Sequence, residues 1–258
     1  MWPASLTESF KTTARAILRR MGYDIVRCSN ALTAFPPDFD HSDVDLCRSI
    51  APFTFTTPER IYALTNAVKY VVKNNITGVI VECGVWRGGS MMTVARTLLQ
   101  LGDTSRHLYL FDTYEGMTPP TEKDVMFDGR RASDLLSNLK KEDKLWAVCS
   151  LEEVKTNLYS TSYPREKIHF VKGRVESTIP SEAPDTISLL RLDTDWYEST
   201  KHELVHLYPR LSKGGVIIID DYGHVQGCRE ATEEYIRENN IRLLLNRIDY
   251  TGRIGIRT

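Results

Sequence analysis

The chain contains no CxxC pair, no lysine-serine or lysine-threonine phosphate loop, and no apolar run approaching the roughly 20 residues of a membrane span. Its five cysteines, at positions 28, 47, 83, 149 and 228, are odd in number and widely spaced. That argues against a disulfide frame or a thiolate zinc site and for reduced thiols in the cytoplasm. The first residues lack the charged-then-apolar pattern of a signal peptide. No sign of charge dominates: 33 basic residues face 34 acidic ones, for a net charge of −1. No overall field therefore gathers nucleic acid. Internal repeats and low-complexity tracts are also missing. At 258 residues, 41% hydrophobic and 26% charged, the chain reads as soluble and globular, able to bury a sizeable core.

Residues 1–56 read as an N-terminal helical extension and 57–258 as the main domain. An amphipathic helix is expected over Leu6–Met21, with Phe10, Ala14, Ile17, Leu18 and Met21 opposite Lys11, Arg15, Arg19 and Arg20. Its apolar face suits its own domain or a partner subunit, or alternatively a membrane surface. The irregular Phe35-Pro36-Pro37-Asp38-Phe39-Asp40 follows, and then the threonine-rich segment from Phe53 to Glu59. Thr57-Pro58 starts a helix that Asn74-Asn75 ends. From Gly78 onward strands alternate with helices. The expected strands are Val79–Cys83, His107–Phe111, Ile168–Lys172, Ile187–Leu192 and Val216–Ile219. Helices are expected over Met91–Leu101 and Glu198–Leu211, the second closed by Gly214-Gly215. Leu243–Leu245 and Ile254–Ile256 suit an antiparallel pair around Thr251-Gly252. This alternation predicts an α/β fold with a doubly wound, mainly parallel sheet and an antiparallel last strand. The long polar insert between Asp112 and Ile168 reads either as a lid or acceptor-binding loop or as a solvated elaboration; Leu151–Leu158 within it looks helical.

Chemistry gathers at strand ends. The first strand runs into Glu82-Cys83-Gly84-Val85-Trp86-Arg87-Gly88-Gly89-Ser90. Gly84 permits a tight turn, Gly88 and Gly89 let backbone approach a ligand, and Ser90 suits the start of the next helix. The spacing departs from GxGxxG, which disfavours a nicotinamide-dependent dehydrogenase. Asp112, at the tip of the second strand, stands where an acid commonly binds ribose hydroxyls. An acid at Glu82 suits a cofactor carrying positive charge, such as a sulfonium with an α-ammonium, better than a pyrophosphate. S-adenosylmethionine is such a molecule.

Two further strands end in acid pairs, Asp193 with Asp195 and Asp220 with Asp221. Residues two apart on an extended backbone share a face. Four carboxylates converging at one cleft repel one another unless a cation or shared protons intervene. Oxygen ligands without His or Cys partners select Mg²⁺, Ca²⁺ or Mn²⁺. The bland alternative is that Asp195 or Ser199 merely caps the following helix.

Glu82–Ser90, Leu110-Phe111-Asp112-Thr113-Tyr114-Glu115-Gly116-Met117, Leu192-Asp193-Thr194-Asp195-Trp196-Tyr197 and Asp220-Asp221-Tyr222-Gly223-His224 together resemble the macrocin O-methyltransferase family. The resemblance spans about residue 50 to the C-terminus. It departs at Val225 and Cys228, where Trp and Ala are expected. It implies a Rossmann-like class I methyltransferase sheet, S-adenosylmethionine, Mg²⁺, a homo-oligomer (dimer or tetramer), and methylation of a hydroxyl on a small-molecule or glycoside acceptor, typically an antibiotic deoxysugar. Metal ligation passes by resemblance to Asp193, Asp220 and Asp221, with Asp195 as general base and Asp193 as runner-up. Glu82, Gly84, Ser90 and Asp112 are implied as cofactor contacts, with Thr54, Phe55, Val175 and Glu176 lining its two ends. His224 is implied to orient the acceptor, or else is a satisfied histidine. Methylation of a small phenol or catechol is the alternative reaction on the same fold.

Overall fold

Runs of Val, Ile and Leu form the middle of a seven-stranded sheet. The computed structural model describes residues 18–20, 35–140, 143 and 146–258. The helix expected over Leu6–Met21 thus lies outside the described residues except for Leu18–Arg20, which are helical. Phe39–Thr258 groups as one unit, separate from Met1–Asp38. Its strands are β1 (Val79–Cys83), β2 (Leu108–Asp112), β3 (Ile168–Lys172), β4 (Ile187–Leu192), β5 (Leu211–Ile219), β6 (Asn246–Arg247) and β7 (Arg253–Ile256). Their order across the sheet is β3-β2-β1-β4-β5-β7-β6. β1 to β5 pair in parallel, whereas β7 pairs antiparallel with both β5 and β6. Every residue of β4 is buried, which is why this strand reads as an almost unbroken apolar run.

The helices are α1 (His41–Ile50), α2 (Pro58–Lys73), α3 (Gly89–Gln100), α4 (Ala132–Ser137), α5 (Leu151–Tyr159), α6 (Val175–Thr178), α7 (Tyr197–Leu207) and α8 (Gln226–Glu238). The chain winds outward from β1 to β3, then restarts at β4 and winds the other way. Right-handed crossovers therefore send α3 and α7 to opposite faces. α2 packs on α3, and α8 packs on α7. Between β1 and β4 the winding reverses, and a crevice opens at the carboxyl ends of the strands. Among the described residues, no helix is long and apolar enough to cross a membrane.

Four local features differ from the sequence expectation. α1 was not anticipated; Asp40 and Asp43 form a reciprocal capping box at its start, and Leu46, Cys47 and Ile50 bury its inner face. α7 ends at Leu207, because Pro209 lacks the N–H needed to continue the helix and a 3₁₀ turn over Tyr208–Arg210 follows. β5 starts at Leu211, so Gly214 and Gly215 lie inside a strand, at a shift in its register against β4, rather than closing a helix. Leu243–Leu245 forms no ladder: Leu243 and Leu245 pack on the core, Leu244 is exposed, and the antiparallel pairing falls on Asn246 and Arg247.

Just past the end of β1, Gly84 lies against the chain leaving β4. Its φ is +81°, and a Cβ there would overlap the main-chain carbonyl of Asp193. Gly102 has a similar φ of +71° with open space around it. Gly84→Ala should lower the unfolding free energy by about 2–4 kcal/mol, from overpacking together with the left-handed backbone. Gly102→Ala should lower it by roughly 1 kcal/mol. Urea unfolding of both variants checks the difference, and equal losses would contradict the crowding at Gly84.

Candidate functional site

A cavity of about 420 Å³ opens at the carboxyl ends of β1, β2, β4 and β5. Three turns enclose it, and in each a non-glycine residue takes positive φ: Trp86 after β1, Tyr114 after β2 and Asp195 after β4. Such backbone persists only where surrounding contacts hold it, and it concentrates at functional sites.

One end of the cavity is built around the glycine loop. Asp112 Oδ2 accepts from the backbone N–H of Val85 (2.6 Å) and Trp86 (3.1 Å), while Oδ1 accepts from that of Tyr114 (2.6 Å). The carboxylate thus ties the β1 and β2 turns together while still lining the cavity. Gly88, at φ +87°, starts α3 without a side-chain cap, so Ser90 sits inside the first turn rather than capping it. Gly89 lets the Phe53-Thr54 backbone press against α3, where a Cβ would not fit. Phe55 then stacks on Trp86 with ring centroids 3.8 Å apart. Thr54, Phe55, Gly84, Ser90, Asp112, Val175 and Glu176 all line this cavity.

Glu82 does not. It is 2% exposed, and its Oε1 accepts from Arg191 Nη1 at 2.7 Å, while Oε2 is buried without a partner. Burial pushes its pKa up to about 7 despite the neighbouring Arg191.

The other end holds the aspartates. β4 stops at Leu192, so Asp193 and Asp195 do not share a face by strand alternation as the sequence suggested. Instead Asp195 turns back at φ +67°. Single oxygens of Asp193, Asp195 and Asp221 then all lie within 4.8 Å of one another, and among the described residues no other group of three potential ligands does so. Asp220 is differently placed: Oδ1 accepts from Arg191 Nη2 at 2.5 Å, and Oδ2 pairs with Arg60 Nη1. The resemblance named Asp193, Asp220 and Asp221 as ligands; the geometry gathers Asp193, Asp195 and Asp221 and gives Asp220 to two arginines. Burial, with repulsion from Asp220 and Asp221, drives Asp193 well above the usual carboxylate range. Burial, with repulsion from Asp193 and Asp220, raises Asp195 to about 7. Asp221 is pushed well up by burial and by Asp195, and its Oδ2 is buried without a partner. A crowded, all-oxygen cluster with an orphaned carboxylate oxygen fits a hard divalent cation.

Asp195 caps nothing. The first N–H of α7, from Tyr197, is taken at 2.7 Å by Asp124 Oδ1, which belongs to the insert after β2. That insert covers the cavity: Met117, Thr118, Met126, Leu135, Leu136 and Leu139 all line it. It is sewn to the loop after β5 by Phe127 N–H to His224 O and by Gln226 N–H to Val125 O, each 2.8 Å. His224 also lines the cavity, and Tyr250 OH lies 3.2 Å from its Nδ1. Phe127 and Tyr250, 60% and 54% exposed, complete an aromatic cluster with ring centroids 5.3 and 5.8 Å from His224. Burial and then Arg60 lower the pKa of His224, which favours the neutral ring.

Sequence reasoning missed Arg60, Arg191, Asp124, Glu203, Phe127 and Tyr250. Arg191 did leave a signal, as the one charged residue within the apolar strand Ile187–Leu192. Glu203 left none. It is 0% exposed on α7, and its Oε1 accepts from Thr194 Oγ1 at 2.9 Å, supporting the turn between the two aspartates.

The chain matches the family described as Macrocin-O-methyltransferase (TylF) over residues 7–254, so the likeness begins well before residue 50. It is 35% identical over 194 residues to the 8-demethyl-8-(2,3-dimethoxy-alpha-L-rhamnosyl)-tetracenomycin-C 4'-O-methyltransferase of Streptomyces olivaceus, covering 75% of this chain and 71% of that one. To demethyldecarbamoylnovobiocin O-methyltransferase of Streptomyces niveus it is 35% identical over 195 residues, again covering 75% and 71%. Among solved structures, the O-methyltransferase NovP superposes with a TM-score of 0.69 at 33% identity, over 80% of this chain and 82% of that one. That likeness carries the Rossmann-like class I methyltransferase sheet.

Glu203 yields a test of the support beneath the aspartates. Burial pushes its pKa well above the ordinary value, so folding holds its proton to higher pH. A carboxyl raised on folding costs stability progressively as pH rises above its unfolded value. Glu203→Gln retains an acceptor for Thr194 and cannot ionise. It should be more stable than the parent at pH 8, with the gap closing toward pH 5. Urea unfolding at the two pH values measures this, and a gap that widens toward acid would refute it.

Proposed function

Because the chain belongs to the macrocin O-methyltransferase family of S-adenosylmethionine-dependent O-methyltransferases, we propose that it methylates a hydroxyl of a deoxysugar carried by a natural product, with a divalent cation, best Mg²⁺, at its acidic cluster. One observation carries the reading: a single cavity joins the Gly84–Asp112 turn to the crowded aspartates, so donor and acceptor sites adjoin.

S-adenosylmethionine supplies an electrophilic methyl on a sulfonium. Val175 and Glu176 are suited to its adenine end and Asp112 to its ribose. Gly84, Ser90, Thr54 and Phe55 are suited to the methionine end, where backbone can come close. Glu82 acts from beneath by holding Arg191, since its own side chain stays off the cavity wall.

A hard cation supplies positive charge that favours the deprotonated form of a hydroxyl. Asp193 and Asp221 would hold it, joined by Asp220 on exchange of its arginine contacts. Asp195 is left to take the acceptor's proton. Without a cation, burial and its acidic neighbours raise its pKa to about 7; a cation beside it would lower that value and keep the carboxylate ionised to accept a proton. Its position on a turn held at φ +67° aims the carboxylate at one place instead of letting it sweep.

On the acceptor side, His224, neutral and half-buried, offers a hydrogen bond to a sugar oxygen. Phe127 and Tyr250 offer aromatic faces at the mouth. The apolar C–H face of a pyranose packs well on such rings, whose π faces carry partial negative charge. The relative from Streptomyces olivaceus is a methyltransferase of a rhamnosyl tetracenomycin, which supports the sugar assignment, and the one from Streptomyces niveus acts on demethyldecarbamoylnovobiocin.

The direct test is incubation with S-adenosylmethionine, Mg²⁺ and a panel of deoxysugar glycosides alongside simple catechols. Mass spectrometry should detect a gain of one CH₂ on a glycoside, lost with EDTA. Preferential methylation of catechols would overturn the sugar assignment, and full activity in EDTA would overturn the cation. Asp195→Asn should lose about 10²–10⁴-fold in kcat while binding S-adenosylhomocysteine as the parent does. Near-normal turnover excludes Asp195 as the base. Phe127→Ala should raise the acceptor KM about tenfold, or about 1.4 kcal/mol, without changing affinity for S-adenosylhomocysteine. An unchanged KM would remove the ring from the acceptor site.

A further inference from the structure

Arg191 is the fifth residue of β4 and only 3% exposed. Nη1 donates to Glu82 Oε1 at 2.7 Å and to Asp193 Oδ2 at 2.6 Å, and Nη2 donates to Asp220 Oδ1 at 2.5 Å and to Thr56 Oγ1 at 3.3 Å. These partners come from three strand ends and from the segment before α2. A buried guanidinium offsets its desolvation only with well-placed carboxylate partners and further hydrogen bonds. This guanidinium has three, and two of them are carboxylates assigned above to the cation. Even so, the neighbourhood stays short of positive charge: Glu82 Oε2 and Asp221 Oδ2 are both buried without partners.

We propose that Arg191 is a resident counter-cation of the acidic site. It holds Glu82, Asp193 and Asp220 in place and competes with a divalent cation for Asp193 and Asp220. It is a positioning residue, with no contact to the reacting atoms. The proposal rests on the cation reading of this site.

Opposite signs separate this from a merely structural role. A strut, when removed, weakens whatever binds to the framework it supported. A competitor, when removed, leaves its carboxylates more negative and free, so a divalent cation binds more tightly. The fold also comes to depend on that cation, because ligand binding to the native state stabilises it.

The experiment uses the full chain as wild type, Arg191→Met and Arg191→Lys. Mn²⁺ binding is read by calorimetry, melting temperature is measured in EDTA and in Mn²⁺, and S-adenosylhomocysteine binding reports an intact donor site. Arg191→Met should melt lower than wild type in EDTA, recover in Mn²⁺, and bind Mn²⁺ at least tenfold more tightly. Arg191→Lys keeps the charge but cannot reach three carboxylates, and should gain several-fold. Equal or weaker Mn²⁺ affinity in Arg191→Met that still binds S-adenosylhomocysteine overturns the proposal. If Arg191→Met folds under no condition, Arg191→Lys decides by the same criterion. Wild type that binds no Mn²⁺ beside an Arg191→Met variant that does would refute the native cation site and sustain the role of Arg191. Absence of binding in every variant refutes both.

Discussion

Among the described residues, five carboxylates, Glu82, Asp193, Asp195, Asp220 and Asp221, and only two guanidinium groups, Arg60 and Arg191, meet where three adjacent parallel strands end. A folded protein tolerates such an imbalance only by raising pKa values, sharing protons or taking up a cation. The first of these is visible in Asp193, Asp195 and Asp221, all held above the ordinary carboxylate range chiefly by burial. The imbalance costs stability and, on the function proposed above, supplies reactivity. An aspartate poised near neutrality is a useful base, and crowded oxygens are a useful cation site.

The glycine-loop side follows a different logic. Few charges are involved, and backbone does most of the shaping. Asp112 spends its carboxylate on three N–H groups of two adjoining turns. Gly84 and Gly89 remove side chains where Asp193 and the Phe53-Thr54 segment must come close. The result is a narrow, rigid cradle whose position relative to the acids is set by main chain. The methyl transfer proposed above needs that rigidity, because misplacement of the reacting atoms is costly.

Between the two halves runs the insert after β2. Its Asp124 is 1% exposed, fills the end of α7, accepts from Thr121 and sits where only a glycine, Gly227, fits on α8. One buried carboxylate therefore locks a loop to two helices and fixes the roof of the cavity above Asp195. The aromatic cluster at the mouth is held in the same way, by backbone bonds from Phe127 and Gln226.

Much of this was legible in the chain itself. Apolar runs ending in acids marked β1, β4 and β5 and their order of use, because a central parallel strand must be hydrophobic on both faces and can turn polar only where it emerges. Gly84, Asp112, Asp193, Asp195, Asp220 and Asp221 were found from position at strand ends alone. Three things were decided only by the tertiary structure. Asp195 joins Asp193 through a left-handed turn and not by strand alternation. Asp220 and Glu82 are engaged by Arg60 and Arg191, which lie 160 and 109 residues away from them in the chain respectively. Asp124, 73 residues before Tyr197, caps α7. Local pattern reports which way a side chain faces over a few residues. It carries no record of which distant partner will share its burial, and here that partner settles whether an acid ligates, titrates or merely braces its neighbour.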